Sequence, residues 1–265
     1  MSLKIFARVL AMACMAVAAH AGSPFAGTWV ADLRATEFSL RPLELSITNG
    51  KYKRASCWVA DEVAADGAEH ALGDNPFFDA MSVRIVDPLH VEVTQKSAGR
   101  TTWTGAYSVA ADLRSMTLRF TDGRATEPVT GLIRYEREGE PTSGAHALTG
   151  TWQGKELAEL SPSGRSMTIE DIDNGVTLHA ADGRNFAIRF GGRSNEPLHG
   201  YLEGAMVHVG RRTPNTLQIN RTQNGTLVEM VLGQVSGDGQ SMEYGQTDWP
   251  CQSQTTLIFR KQPPS

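Results

Sequence analysis

The chain has 265 residues, with 25 Lys and Arg against 29 Asp and Glu, and 40% of it is apolar. A formal charge of −4 leaves no basic surplus to coat phosphate, which argues against general nucleic-acid binding. The apolar content is enough for a core, and the composition is not that of a disordered chain.

Lys4 and Arg8 precede an apolar run from Val9 to Ala19, which ends in Ala19-His20-Ala21. This is the pattern of a secretory signal peptide over 1–21. The run is shorter than the roughly 20 residues that span a bilayer and no second run follows, so no transmembrane segment is expected. A competing reading makes Cys14 a lipid-attachment cysteine. Ala11-Met12-Ala13 lacks the branched aliphatic residue usual three places before such a cysteine, and the apolar run continues past it. Cleavage after Ala21 moves the formal charge from −4 to −6 and puts the product in the periplasm or the medium. Two cysteines remain, Cys57 and Cys251. An even count in an exported protein suggests a disulfide, and the alternative is two buried thiols packed as small apolar groups. A bond would close nearly the whole chain and stabilise it by up to about 5 kcal/mol.

From Phe25 onward the apolar period is two, broken by Gly, Asn, Asp and Pro, which predicts strands and hairpins. Strands are expected near 27–31, 43–49, 51–59, 81–87, 89–96, 101–109, 115–121 and 129–137. A turn or two of helix is the best reading of Asp32 to Phe38. Asn49-Gly50 and Asp122-Gly123 are hairpin-turn dipeptides. Residues 138–147 are polar, rich in turn formers and without an apolar period, which reads as a linker. Strands resume near 150–156, 165–171, 175–180, 185–190, 204–211, 215–222, 226–236, 240–247 and 254–262, with turns at Asn174-Gly175, Asp182-Gly183 and Asn224-Gly225.

The second set repeats the first. Gly27-Thr28-Trp29 returns as Gly150-Thr151-Trp152, Val109-Ala110-Ala111-Asp112 as Val235-Ser236-Gly237-Asp238, and Ser115-Met116 as Ser241-Met242. Met81, Pro88 and Gly99 return as Met206, Pro214 and Gly225 at nearly constant spacing. The chain therefore divides into copy one, 22–137, and copy two, 148–265. Each has a usual single-domain size and about eight antiparallel strands, as a sandwich or an up-and-down barrel.

The Gly-Thr-Trp start resembles the lipocalin-like members of the calycin group, in which a Gly-x-Trp on the first strand is packed by a basic side chain on the last. That resemblance implies two tandem lipocalin-like β-barrels closed by Trp29 and Trp152, with Arg137 and Lys261 as the basic partners. The runs Asn75-Pro76-Phe77-Phe78-Asp79-Ala80-Met81 and Thr130-Gly131-Leu132-Ile133-Arg134-Tyr135-Glu136-Arg137 are also similar to a class of small exported bacterial barrel proteins. This class brings the expectation of a cavity and no activity. Copy two has Gly204-Ala205-Met206-Val207-His208 where copy one has the Asn-Pro-Phe-Phe loop, so the two cavities need not share a role.

No catalytic residues are assigned, because no Gly-x-Ser-x-Gly elbow, phosphate-binding Gly-Lys-Ser/Thr loop or His-Glu-x-x-His helix is present. Asp171-Ile172-Asp173-Asn174-Gly175 has Gly175 and Val176 where a calcium loop needs an oxygen ligand and then Gly, and it reads as a hairpin turn. His179, His199 and His208 with Glu203 lack the even spacing of ligands on one strand face, so no metal or cofactor is assigned. Candidate cavity residues are the aromatics Trp58, Phe77, Phe78, Trp103 and Tyr107, whose other reading is core packing. Two Asn-x-Thr triplets, at Asn220 and Asn224, carry no weight beside a bacterial resemblance. The leading expectation is an exported, non-catalytic binding protein whose partner is a small apolar or amphipathic molecule. The alternatives are a structural or interaction module with solid barrels, and a hydrolase or isomerase using polar groups inside a barrel.

Overall fold

The computed structural model describes residues 22–38, 41–55, 62–73, 78–190, 194–249, 251 and 253–263. Among the described residues the chain is all-β apart from one helical turn. The strands are β1 (Gly27–Phe38), β2 (Leu43–Thr48), β3 (Lys51–Arg54), β4 (Glu62–Ala64), β5 (Asp66–Ala71), β6 (Ala80–Asp87), β7 (His90–Ser97), β8 (Arg100–Val109), β9 (Ser115–Asp122), β10 (Val129–Glu138) and β11 (Gly150–Leu160). After the helical turn α1 (Pro162–Arg165) come β12 (Ser166–Ile172), β13 (Gly175–Ala180), β14 (Asn185–Arg189), β15 (Ser194–Pro197), β16 (Ala205–Thr213), β17 (Thr216–Gln223), β18 (Thr226–Val235), β19 (Ser241–Asp248) and β20 (Ser253–Lys261). Among the described residues no helix is long and apolar enough to cross a membrane.

These strands form two antiparallel ten-stranded sheets, where about eight strands each were expected. The additional strands are short or polar, such as β5 (Asp66-Gly67-Ala68-Glu69-His70-Ala71), and carry no apolar period. Each sheet curls until its ends meet, giving a nearly closed barrel. In barrel one the terminal strands β4 and β5 are consecutive in the chain, separated by Ala65 alone. In barrel two a bridge between Asn185 and His199 joins the ends.

The barrels do not coincide with the sequence copies. Barrel one has the order β4-β3-β2-β11-β10-β9-β8-β7-β6-β5, and barrel two β14-β13-β12-β1-β20-β19-β18-β17-β16-β15. The Gly-Thr-Trp strand of copy one therefore sits in barrel two, paired with β12 and β20, and that of copy two sits in barrel one, paired with β2 and β10. Of residues 138–147, expected to link the copies, Glu138 ends β10 and 139–147 lie in the connection from β10 to its neighbour β11, both in barrel one. The chain changes barrel between β1 and β2 and again between β11 and β12 instead.

Period-two burial explains the barrel interiors. In β7 Val91 and Val93 face inward, and in β17 Leu217, Ile219 and then Arg221 do so. Two separate apolar cores result, one around Val83, Val91, Met116 and Trp152, the other around Trp29, Ile188, Val207 and Val231. Asn49-Gly50 and Asn224-Gly225 make two-residue hairpins with positive φ at both positions. Asp122-Gly123 does not close a hairpin: it opens the loop 123–128, because the Asp122 carboxylate is tied to the Arg124 N–H and guanidinium. The helix expected at Asp32 to Phe38 is the continuation of β1 past a register break between Asp32 and Glu37. There β1 runs on against β11, and Phe38 covers Gly154, where an added Cβ would lie 2.8 Å from the ring.

Each tryptophan plugs a barrel opposite a cation of the adjacent strand. Trp152 is fully buried, its indole N–H donates to the Leu148 carbonyl at 2.9 Å, and the Arg137 guanidinium lies 4.0 Å from its ring centre. Trp29 repeats this with Phe25 at 2.7 Å and Lys261 at 5.3 Å. The cations thus pair crosswise with respect to the copies. Gly27 and Gly150 are needed where they stand: φ is +134° and +148°, and a Cβ would collide with Lys261 and Arg137 respectively. Arg137 also donates to the carbonyls of Leu113, Ala147 and Thr149. Lys261 makes no such set among the described residues, so the two plugs differ in strength. Arg137→Met should destabilise the protein by about 3 kcal/mol, losing charged hydrogen bonds and the ring contact, against about 1 kcal/mol or less for Lys261→Met. Urea unfolding of both variants measures the difference.

Candidate functional site

The two barrel interiors join in one cavity of about 540 Å³, lined by residues of both. Its ends are apolar: Met81, Val93 and Leu118 in barrel one, and Leu178, Val207 and Ile219 in barrel two. Its middle is charged, which nothing in the aromatic pattern of the sequence predicted.

Two loops of like sequence build that middle. Asp122-Gly123-Arg124 follows β9, and Asp182-Gly183-Arg184 joins β13 to β14. In each the Asp Oδ1 accepts the N–H of the Arg two residues on, at 3.0 Å, and the carboxylate holds the same Arg's guanidinium, at 2.5 Å for Arg124 and 2.7 Å for Arg184. The loops dock on one another across the barrel junction. Glu127 N–H donates to the Asp182 carbonyl at 2.9 Å and Thr126 N–H to the Gly200 carbonyl at 3.0 Å. A third pair comes from strands: the Arg221 Nε–H donates to Glu229 Oε2 at 2.8 Å, and both side chains are about nine-tenths buried. The three guanidiniums surround the ring of Tyr201, with Arg221 nearest at 4.8 Å and Arg124 and Arg184 each at 5.9 Å.

A fourth arginine stands apart. Arg54, at the end of β3, lines the cavity beside Tyr52, Tyr107 and Tyr135, with Asp248 of β19 in its field. Among the described residues no carboxylate lies within ion-pair distance of it, and its buried Nε–H has no acceptor.

Burial and charge compete at every carboxylate here. For Asp122, burial favours the neutral form, but Arg124 and its hydrogen bonds, with Arg184 behind them, win and hold its pKa at about 2. For Glu229 burial is likewise outweighed, chiefly by Arg221 and Arg184, and the pKa is lowered. For Asp248 burial wins over the attraction of Arg54 and Arg124, and the pKa is raised. Burial also pushes up the phenols of Tyr107, Tyr135 and Tyr244, which stay protonated donors at any ordinary pH.

Of the five aromatics expected at a site, Phe78, Trp103 and Tyr107 line the cavity. Trp103 folds over Gly105, where a Cβ would leave no room for its ring. Trp58 and Phe77 lie outside the described residues, as does Cys57. Cys251 is buried and lines the same cavity. Trp29, Arg137 and Lys261 do not line the cavity; Trp152 does, besides plugging barrel one. Asp173-Asn174 forms the two-residue turn between β12 and β13. His179 and His208 are exposed, His208 near the Thr222 hydroxyl at 3.3 Å. Among the described residues no group of three His, Cys, Asp or Glu side chains is placed to hold a metal. The chain matches no protein-family model, no curated protein and no solved structure.

The charges predict the pH dependence. Asp122 and Glu229 have lower pKa values folded than unfolded, so their contribution is complete above the ordinary carboxylate range and is lost as the pH falls toward 2. Asp122 accounts for about 2 kcal/mol of that loss. Asp248, with a raised folded pKa, has the opposite sign: its ionisation costs stability, and acidification first relieves that cost. Urea midpoints should hold or rise from neutral pH to about 5 and then fall steeply. Asp122→Asn should lower the neutral-pH midpoint and flatten the acid limb; an unchanged limb contradicts this assignment.

Proposed function

We propose that the protein is an exported, non-catalytic binding protein for a small amphipathic molecule, held in the cavity shared by the two barrels. The observation that carries this reading is the cavity itself. Its volume of about 540 Å³ lies within the usual range for small-molecule sites, and it combines long apolar walls with a few buried polar groups. A solid interaction module needs no such space. The aromatics Phe78, Trp103 and Tyr107 would cover the apolar part of the ligand, and the tyrosine hydroxyls and Arg54 would orient its polar part. The leader at 1–21 supports export to the periplasm or medium.

Export also bears on the two cysteines. Arg54 and Asp248 are electrostatic neighbours, and each lies three residues before a cysteine of the mature chain, Cys57 and Cys251. That sets the end of β3 near the end of β19, and we propose that the two cysteines are bonded, tying one barrel to the other.

One feature favours the enzyme alternative: four carboxylates, Asp122, Asp182, Glu229 and Asp248, converge on the cavity. Three are held by arginines, and of these Asp122 and Glu229 are kept ionised, unsuited to exchanging a proton near neutral pH. Binding therefore remains the better-supported reading.

The test is titration of the mature protein with a panel of hydrophobic dyes and amphiphiles, read by tryptophan fluorescence. Saturable quenching is expected, and it should be lost in Ala180→Phe, which fills the cavity from an inward position of β13. Quenching that survives this substitution, or none in the parent protein, contradicts the proposal. Denatured intact mass, lower by two hydrogens, reports the Cys57–Cys251 bond.

A further inference from the structure

The cavity's charged middle specifies the ligand more narrowly, on the reading that the cavity is a binding site. Arg124, Arg184 and Arg221 each hold a carboxylate at 2.5 to 2.8 Å, and these pairs satisfy one another. Arg54 and Asp248 do not pair. They lie close enough to feel each other's charge, face the same cavity and are both desolvated, yet no ion pair within 4.0 Å joins them. Among the described residues the buried Nε–H of Arg54 has no acceptor. An arginine cannot escape this by losing its proton. A buried cation and anion held apart cost free energy that contact would recover, unless something fits between them.

Asp248 already accepts the Cys251 N–H, so the occupant must offer an acceptor to Arg54 and a further donor to Asp248. The surroundings oppose a net charge: the buried lining has four arginines, Arg54, Arg124, Arg184 and Arg221, against four carboxylates, and the remaining lining arginine, Arg41, is exposed. A lone anion would face Asp248, and a lone cation would face Arg54. On either side the walls are aromatic and aliphatic, with Tyr52, Tyr107 and Tyr135 next to Arg54.

We propose that the site takes a zwitterion, a carboxylate and an ammonium group a few ångströms apart on an apolar or aromatic body, as in an aromatic amino acid. The carboxylate meets Arg54, the ammonium group meets Asp248, and the body lies between Phe78, Trp103 and Tyr107. This class is narrower than an amphipathic molecule, and it gives Arg54 and Asp248 a joint role.

The experiment compares phenylalanine, 3-phenylpropionate and phenethylamine, which share a body and carry both charges, the negative alone and the positive alone. Calorimetric titration of the unmodified mature protein near neutral pH should show phenylalanine binding at least tenfold more tightly than either of the others. In Asp248→Asn, with its fold checked by near-ultraviolet circular dichroism, phenylalanine should lose at least tenfold and 3-phenylpropionate should not. If 3-phenylpropionate equals or exceeds phenylalanine in the unmodified protein, the zwitterion is wrong and the site is anionic. If none of the three binds while hydrophobic dyes still enter, the zwitterion is wrong and the binding reading stands. If neither the three compounds nor the dyes bind, both fall.

Discussion

The structure depends on where the first strand of each sequence copy goes. A Gly-x-Trp strand closes a barrel by inserting its tryptophan at one end and presenting its glycine to a cation on the adjacent strand. Here β1 performs that closure for barrel two and β11 for barrel one. Because β1, the first described strand, pairs with β20, the last, barrel two cannot close until these two distant parts of the chain meet. The crossing also presses β1 against β11, with Phe38 on Gly154, so the barrels share a seam as well as a connection. A pair of independent domains on a string would have neither.

The charged junction follows from that seam. Buried ion pairs contribute little net stability, since desolvation offsets most of the attraction, but removing one partner is costly. Each of the three pairs where the barrels meet lies within one barrel, so what opposes sliding is the set of links that cross: the backbone bonds from Thr126 and Glu127 to Gly200 and Asp182, and the attraction of Arg184 for Asp122 and of Arg124 for Glu229. The same groups prevent apolar side chains from filling the middle of the molecule, and this keeps the interiors connected.

Much of the fold was legible in the sequence because its signal is local. Period-two alternation marks strands such as β7, β8 and β17, and Asn-Gly marks the hairpins at 49–50 and 224–225. What was not legible is non-local or lacks an apolar pattern. The polar strand β5 looks like loop, and the break in β1 after Asp32 resembles a turn. The exchange of β1 and β11 leaves no local mark, since either barrel offers each strand the same partners. Trp103 and Tyr107, four apart on one strand, were readable as sharing a face, and Phe78 from its place in the Asn-Pro-Phe-Phe run. The charged centre left two signals that the aromatic pattern does not carry: the repeated Asp-Gly-Arg, and Arg221 at an inward position behind Leu217 and Ile219.

The central claim is the crosswise placement of the Gly-Thr-Trp strands, and one cross-link tests it. Thr28 lies opposite Thr168 of β12, with their hydroxyls 3.4 Å apart, whereas the corresponding residue of the other copy, Thr151, lies opposite Glu44. A full chain carrying Thr28→Cys and Thr168→Cys should form a bond between those positions on oxidation, as a monomer, located by peptide mapping, and one carrying Thr28→Cys and Glu44→Cys should not. Bonding between 28 and 44, with none between 28 and 168, would mean that each copy keeps its own first strand and would contradict the shared seam.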